Sequence, residues 1–178
     1  MNVAILRRHA VLLASCLLLA GCGRDIPPTE HRVASSGKVA VELHAVPAEV
    51  MQAARTSRPQ LDIGSAEHEL RDGQDYYDLE GTMPDGTEVE LDLTKVNGAW
   101  TVVEIQRDIG MKDVPGEVRE ALARANPDFR PDRIIESDQD DGIIIYEFFG
   151  PGPGGEQAKL EVKWESGMAE LLLEEWVH

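Results

Sequence analysis

The chain repeats itself, and that repeat limits its fold more than any other feature. Val46-Pro47-Ala48-Glu49-Val50 recurs 68 residues on as Val114-Pro115-Gly116-Glu117-Val118 (47 to 115). At the same spacing Ala53 matches Ala121 and Pro59 matches Pro127. One inserted residue then takes the spacing to 69 (72 to 141). In that frame Asp72-Gly73 matches Asp141-Gly142, Tyr77 matches Tyr146, Gly81 matches Gly150 and Gly86 matches Gly155. Leu91 and Gly98 likewise match Leu160 and Gly167. The shared positions include the glycines and prolines that punctuate turns and helices, so both copies must form the same succession of elements.

Each copy opens with a helix. Pro47 and Pro115 suit a first helical position, where a missing N–H costs nothing, and Glu49 and Glu117 complement the helix dipole in the first turn. Val50, Ala53 and Ala54 form one apolar stripe; Val118, Ala121 and Leu122 form the other. Pro59 and Pro127 end these short helices. Strands follow. Val89, Leu91 and Leu93 alternate with Glu88, Glu90, Asp92 and Thr94, and Ala158, Leu160 and Val162 alternate with Lys159, Glu161 and Lys163. A period of two with one polar side is the mark of a half-buried antiparallel strand. Asn97-Gly98 and Ser166-Gly167 are two-residue hairpin signals, and Pro84-Asp85-Gly86 and the 151–155 segment are longer turns. The expected fold class is α+β: two tandem units, 38–110 and 111–178, each a short helix packed on an antiparallel sheet of about four strands.

A Val-Pro-x-x-Val helix start, a Tyr-Asp/Glu-Leu/Phe strand and a closing glycine hairpin resemble the PepSY-like domains, which are similar in fold to the tandem units of beta-lactamase-inhibitor proteins. The resemblance spans roughly residues 38–178. It implies no cofactor and no chemistry of its own. It implies a small envelope module that binds proteins or peptides, with a peptidase-restraining action proposed for some members.

Ahead of the repeat the chain carries an export pattern. Arg7 and Arg8 precede an apolar run from Ala10 to Ala20, the layout of a secretory signal and too short for the roughly 20 apolar residues that span a bilayer. Leu19-Ala20-Gly21-Cys22 resembles a lipobox, so residues 1–21 are expected to be a lipoprotein signal peptide and Cys22 the lipid-bearing residue. Gly23 follows, where inner-membrane retention would place an Asp, which favours the outer membrane facing the periplasm. Residues 22–37 read as a flexible tether, with Pro27-Pro28 and Ser35-Ser36 and few large apolar groups.

Removing Arg7 and Arg8 with no acid takes the net charge from −16 to −18. So acidic a surface argues against nucleic acid and against a second, electrostatic hold on anionic lipid. A well-solvated surface is the plain account of it, and binding of cations or of a basic partner is the alternative. Cys22 has no partner for an intrachain disulfide once Cys16 is removed, so stability must come from a packed core.

No motif points to catalysis. Glu67-His68-Glu69-Leu70 lacks the second histidine of a zinc-protease helix and falls in an expected strand. Asp138-Gln139-Asp140-Asp141-Gly142 resembles a calcium loop, yet its glycine is one place early and the closing Glu is missing; a hairpin turn fits it better. Ser36-Gly37-Lys38 lacks most of a phosphate loop, and no Gly-x-Ser-x-Gly is present. The chain is therefore expected not to be an enzyme.

One asymmetry between the copies bears on binding. In the first, Tyr77 and Leu79 are expected to face the core with Leu91 and Leu93, leaving Tyr76, Asp78 and Glu80 on the opposite face. In the second that opposite face reads Ile145, Glu147 and Phe149, with Met168, Leu172 and Trp176 joining it across the hairpin. A monomer seldom leaves such a patch bare. Either the chain covers it, or Ile145, Phe149, Met168, Leu172 and Trp176 form a partner surface. The expected function is a lipid-anchored, non-catalytic binding module for an envelope protein or peptide, with a structural accessory lipoprotein of an outer-membrane assembly as the alternative. Mass spectrometry of the exported protein should find residue 22 at the N-terminus carrying acyl chains, and Cys22→Ser should leave the protein unacylated and out of the membrane fraction; an unmodified Cys22 would remove the lipid anchor.

Overall fold

A computed structural model describes residues 36–176. The signal segment, Cys22 and most of the expected tether lie outside the described residues. The described chain forms nine strands in one antiparallel sheet whose spatial order is the order of the sequence. β1 is Val39–Ala40; a single 3-10 turn, Leu43–Ala45, and helix α1, Ala48–Ser57, follow it. Then come β2 (Asp62–Arg71), β3 (Gln74–Thr82), β4 (Glu88–Val96) and β5 (Ala99–Asp108). Helix α2, Gly116–Ala125, precedes β6 (Arg133–Asp138), β7 (Ile143–Pro151), β8 (Gln157–Glu165) and β9 (Met168–Leu171).

The two tandem sheets expected from the repeat are not formed. β5 pairs with β6 from Ile105↔Asp138 to Asp108↔Ile135, which fuses the strands of both copies into one sheet. The physical reason is edge satisfaction. Two separate four-stranded sheets would leave the outer N–H and C=O groups of β5 and β6 unpaired. Pairing them removes two edges and leaves the edges of the sheet at β1 and β9.

The helices begin one residue after their prolines, with Pro47 and Pro115 as caps. Both cover the same face of the sheet. Val50 and Ala54 of α1 pack with Leu79, Leu91, Leu93 and Val102. Val118, Ala121 and Leu122 of α2 pack with Ile134, Tyr146, Phe148 and Val162. In register, Tyr77 opposes Leu93 and Leu79 opposes Leu91, so Tyr76, Asp78 and Glu80 stand on the helix-free face. Asn97 and Gly98 both take positive φ, 53° and 83°, as a two-residue hairpin requires. Gly81 and Gly150 have a different purpose. A Cβ there would lie 2.5 Å from the Asp62 carbonyl oxygen and 2.8 Å from that of Arg130, where the chain leaving each helix enters the sheet.

The fused sheet makes a mechanical prediction about stability. Leu79 and Phe148 are both fully buried, one in each core. Leu79→Ala and Phe148→Ala should each cost about 2–5 kcal/mol, and in denaturant each should shift one common transition. Two separable transitions would show that the halves unfold independently despite the β5–β6 ladder.

Candidate functional site

Strand alternation puts an unusual row on the helix-free face. Glu67 of β2 opposes Asp78 of β3, Asp78 opposes Asp92 of β4, and Asp92 opposes Glu104 of β5. Four carboxylates thus stand in direct register across four strands. Like charges placed opposite one another destabilise a sheet, and here Asp78, Asp92 and Glu104 are also buried. Glu80 opposes Glu90 in the neighbouring row.

Two cations answer this charge: Arg71 of β2, which pairs with Glu69 and also feels Asp92 and Asp78, and Lys38, which touches the row directly. The Lys38 ammonium lies 2.7 Å from Asp78 Oδ2 and 3.2 Å from Glu90 Oε1. The second oxygen of Asp78, Oδ1, is buried and has no hydrogen-bond partner among the described residues. Burial opposes the charge on Lys38, but its hydrogen bond to Asp78 and the charges of Asp78, Glu90 and Asp92 outweigh that and raise its pKa. Burial pushes Asp92 well above the usual carboxylate range, and the charges of Asp78, Glu104 and Glu90 add to the rise. Burial raises Glu90 as well, against the pull of Lys38.

One oxygen from each of Asp78, Glu90 and Asp92 lies within 4.8 Å of the others. That spacing suits a small cation held by oxygen atoms, and the cation in place is an ammonium. A cleft of about 280 Å³ adjoins the cluster and shares Glu90 with it; Ser65, Glu80, Gln106 and Ile135 also line it. The arginines at its rim are already matched, Arg107 with Glu136 at 2.6 Å and Arg133 with Asp108 at 2.9 Å.

The second copy shows what a closed version of this site looks like. At a spacing of 69, Asp78 corresponds to Glu147, Asp92 to Glu161 and Glu90 to Lys159. Glu147 and Glu161 are again directly opposed. Here the strand itself supplies the cation: Lys159 Nζ lies 2.7 Å from Glu161, 3.7 Å from Glu147 and 2.5 Å from Glu175. In the first copy that position is another acid, Glu90, and the ammonium that touches the acids comes from Lys38, outside the repeated strands.

The polar row continues between the copies. Ser137 Oγ and Gln139 Nε2 donate to Glu104 Oε1, the latter at 3.1 Å. The Trp176 indole N–H donates to Gln139 Oε1 at 3.0 Å, and the Trp176 backbone N–H donates to Glu161 Oε2 at 2.7 Å. Through these bonds the C-terminal segment lies against the helix-free face of the second copy. The apolar residues expected there are consequently not one bare patch. Ile145 is 1% exposed, Phe149, Leu172 and Trp176 are half-buried, and Met168 at 72% is the exposed member.

The other sequence candidates are structural in their setting. His68 lies in β2, with its Nε2 2.8 Å from Asp75 Oδ1 and its ring against Tyr77. The 138–142 segment is the β6–β7 turn, in which Asp138 and Asp141 side chains accept from the Asp140 and Ile143 backbone N–H groups. Sequence reading placed Asp78 and Glu80 outward but did not single out the group Lys38, Asp78, Glu90 and Asp92. The signal that finds it is the change from Lys159 to Glu90 at matched positions. No protein family, curated protein or solved structure matches the chain.

Asp92 makes the site's cost measurable. A carboxyl raised in the folded state takes up a proton on folding, so stability increases as pH falls through the raised value, and that gain is complete near the ordinary carboxylate pKa of about 4. Asp92→Asn should therefore be more stable than the wild type at pH 7.5, with an advantage that shrinks by pH 4. Denaturant unfolding at the two pH values checks this; an advantage independent of pH would show that Asp92 carries no burdened charge.

Proposed function

We propose that this protein is a lipid-anchored, non-catalytic binding module of the cell envelope, and that its first repeat takes a cationic group of a protein or peptide partner into the cradle of Asp78, Glu90 and Asp92. One comparison carries the reading. The same cradle in the second repeat is closed by its own Lys159, whereas the first has an acid in that place and takes its contacting ammonium from Lys38 at the sheet edge. Buried like charges are unfavourable to the fold, and an incoming ammonium or guanidinium relieves them. The adjoining cleft, with Glu80 and Glu90 in its wall, has room for the alkyl stem of such a side chain.

The anchor at Cys22 would hold this site near the membrane surface; the short motifs shared with PepSY-like domains fit a binding rather than a catalytic role. The apolar side chains of the second repeat contribute less to this reading than the acids do, because Ile145 is enclosed by the chain itself.

Calorimetric titration of the full chain with a tetralysine peptide tests the proposal. Binding should weaken about tenfold or more in Asp78→Asn, since loss of one partner of a buried charge pair costs about 2 kcal/mol or more. It should change little in Glu165→Gln, whose carboxylate pairs with Lys163 at the far hairpin. Equal binding by Asp78→Asn and the wild type would overturn the assignment of the cradle.

A further inference from the structure

Resting on that reading, we infer that β1 is a built-in stand-in for the partner, and that the partner binds as an extended segment that displaces β1 from the edge of β2 and puts its own lysine where Lys38 lies. Three observations lead there.

The first is how β1 is held. It is two residues long, Val39 is 61% exposed and Ala40 is exposed as well, so the apolar hold on this segment is confined to Val41, half-buried against the first core. Its attachment is a short ladder along β2. Ser36 N–H donates to the Leu70 carbonyl at 2.9 Å, Leu70 N–H donates to Ser36 Oγ at 2.9 Å, and Val41 N–H donates to the Ala66 carbonyl at 2.8 Å. Segments with few buried contacts open at low free energy.

The second is where its one charged side chain goes. Ala40 pairs with Glu67, on the helix-free face. By alternation Lys38 projects to the same face and reaches Asp78 and Glu90. β1 therefore combines main-chain pairing on a sheet edge with one side chain in a pocket, the arrangement by which proteins recognise added strands.

The third is incompleteness. With Lys38 in place, Asp78 Oδ1 still has no hydrogen-bond partner among the described residues. A guanidinium, or an ammonium seated more deeply, supplies further donors. The resident lysine fills the cradle without satisfying it, as an exchangeable occupant would.

The probe is a labelled peptide with the sequence of residues 36–41, Ser-Gly-Lys-Val-Ala-Val, and a second with norleucine in place of its lysine. In the variant Lys38→Ala with Val41→Pro, the cradle is emptied and one ladder donor is removed. A resident strand competes at high effective concentration, and a fractionally available site weakens apparent binding in proportion. The lysine peptide should therefore bind this variant at least about tenfold more tightly than the wild type, and the norleucine peptide should lose that gain.

Hydrogen exchange on the unaltered chain gives a readout that needs no variant. Saturating lysine peptide should speed exchange of the Ser36 and Val41 amides while strands β2–β4 stay protected. Protected Ser36 and Val41 amides at saturation, equal binding of the two peptides, or concentration-dependent dimers of the variant would each overturn strand displacement. If tetralysine still binds in an Asp78-dependent way while the strand peptide does not, the cationic cradle stands and only the displacement fails. If neither binds, both readings fall.

Discussion

The β5–β6 ladder is the interaction on which the rest of the structure depends. It joins the copies over the last four residues of β5 and β6. Without it the repeat would yield two small sheets, each with its own exposed edges. With it, the two helices lie on one face and the opposite face becomes continuous from β1 to β9. The same ladder begins next to Glu104, which is how Ser137 and Gln139 of the second copy come to donate to the last carboxylate of the row in the first.

That continuous face is where the copies have diverged. Their cores are built alike: Leu79 and Phe148 are buried under equivalent helices, and Gly81 and Gly150 permit the same close crossing of the chain. Their outer faces are neutralised differently. Lys159 is part of β8, so its backbone stays beside its acids as long as that strand is paired. Lys38 reaches its acids from a two-residue strand at the sheet edge. Burying a charge is tolerable only beside its opposite, so part of the first copy's charge balance depends on a segment at the sheet edge.

Much of the local structure was legible in the residues. Alternation assigned Tyr77 and Leu79 to one face and Tyr76, Asp78 and Glu80 to the other, because strand faces follow from a period of two. The Asn97-Gly98 and Ser166-Gly167 hairpins followed from backbone preference alone. The single sheet was not legible. The contacts that fuse the copies, such as Arg107 with Glu136, lie between positions the repeat does not equate, and a repeat describes what its units share rather than how their edges meet. The site was hidden for a related reason: an acid at 78 becomes informative only when register sets it against Asp92, and Lys38 lies ahead of every position that the two copies share. The return of the C-terminal segment to this face, where Trp176 meets Gln139, joins residues 37 apart in the chain and is encoded by no local pattern.

The way the chain enters the fold has a mechanical consequence. Everything ahead of Ser36 connects to the body through the strand that bears Lys38, so tension on that side arrives first at the Ser36–Leu70 bonds and next at the ammonium in its carboxylate cradle. The core beneath α1 is loaded only after those have parted. Strain on the leading segment and occupancy of the cradle by Lys38 are thus joined through one short stretch of backbone.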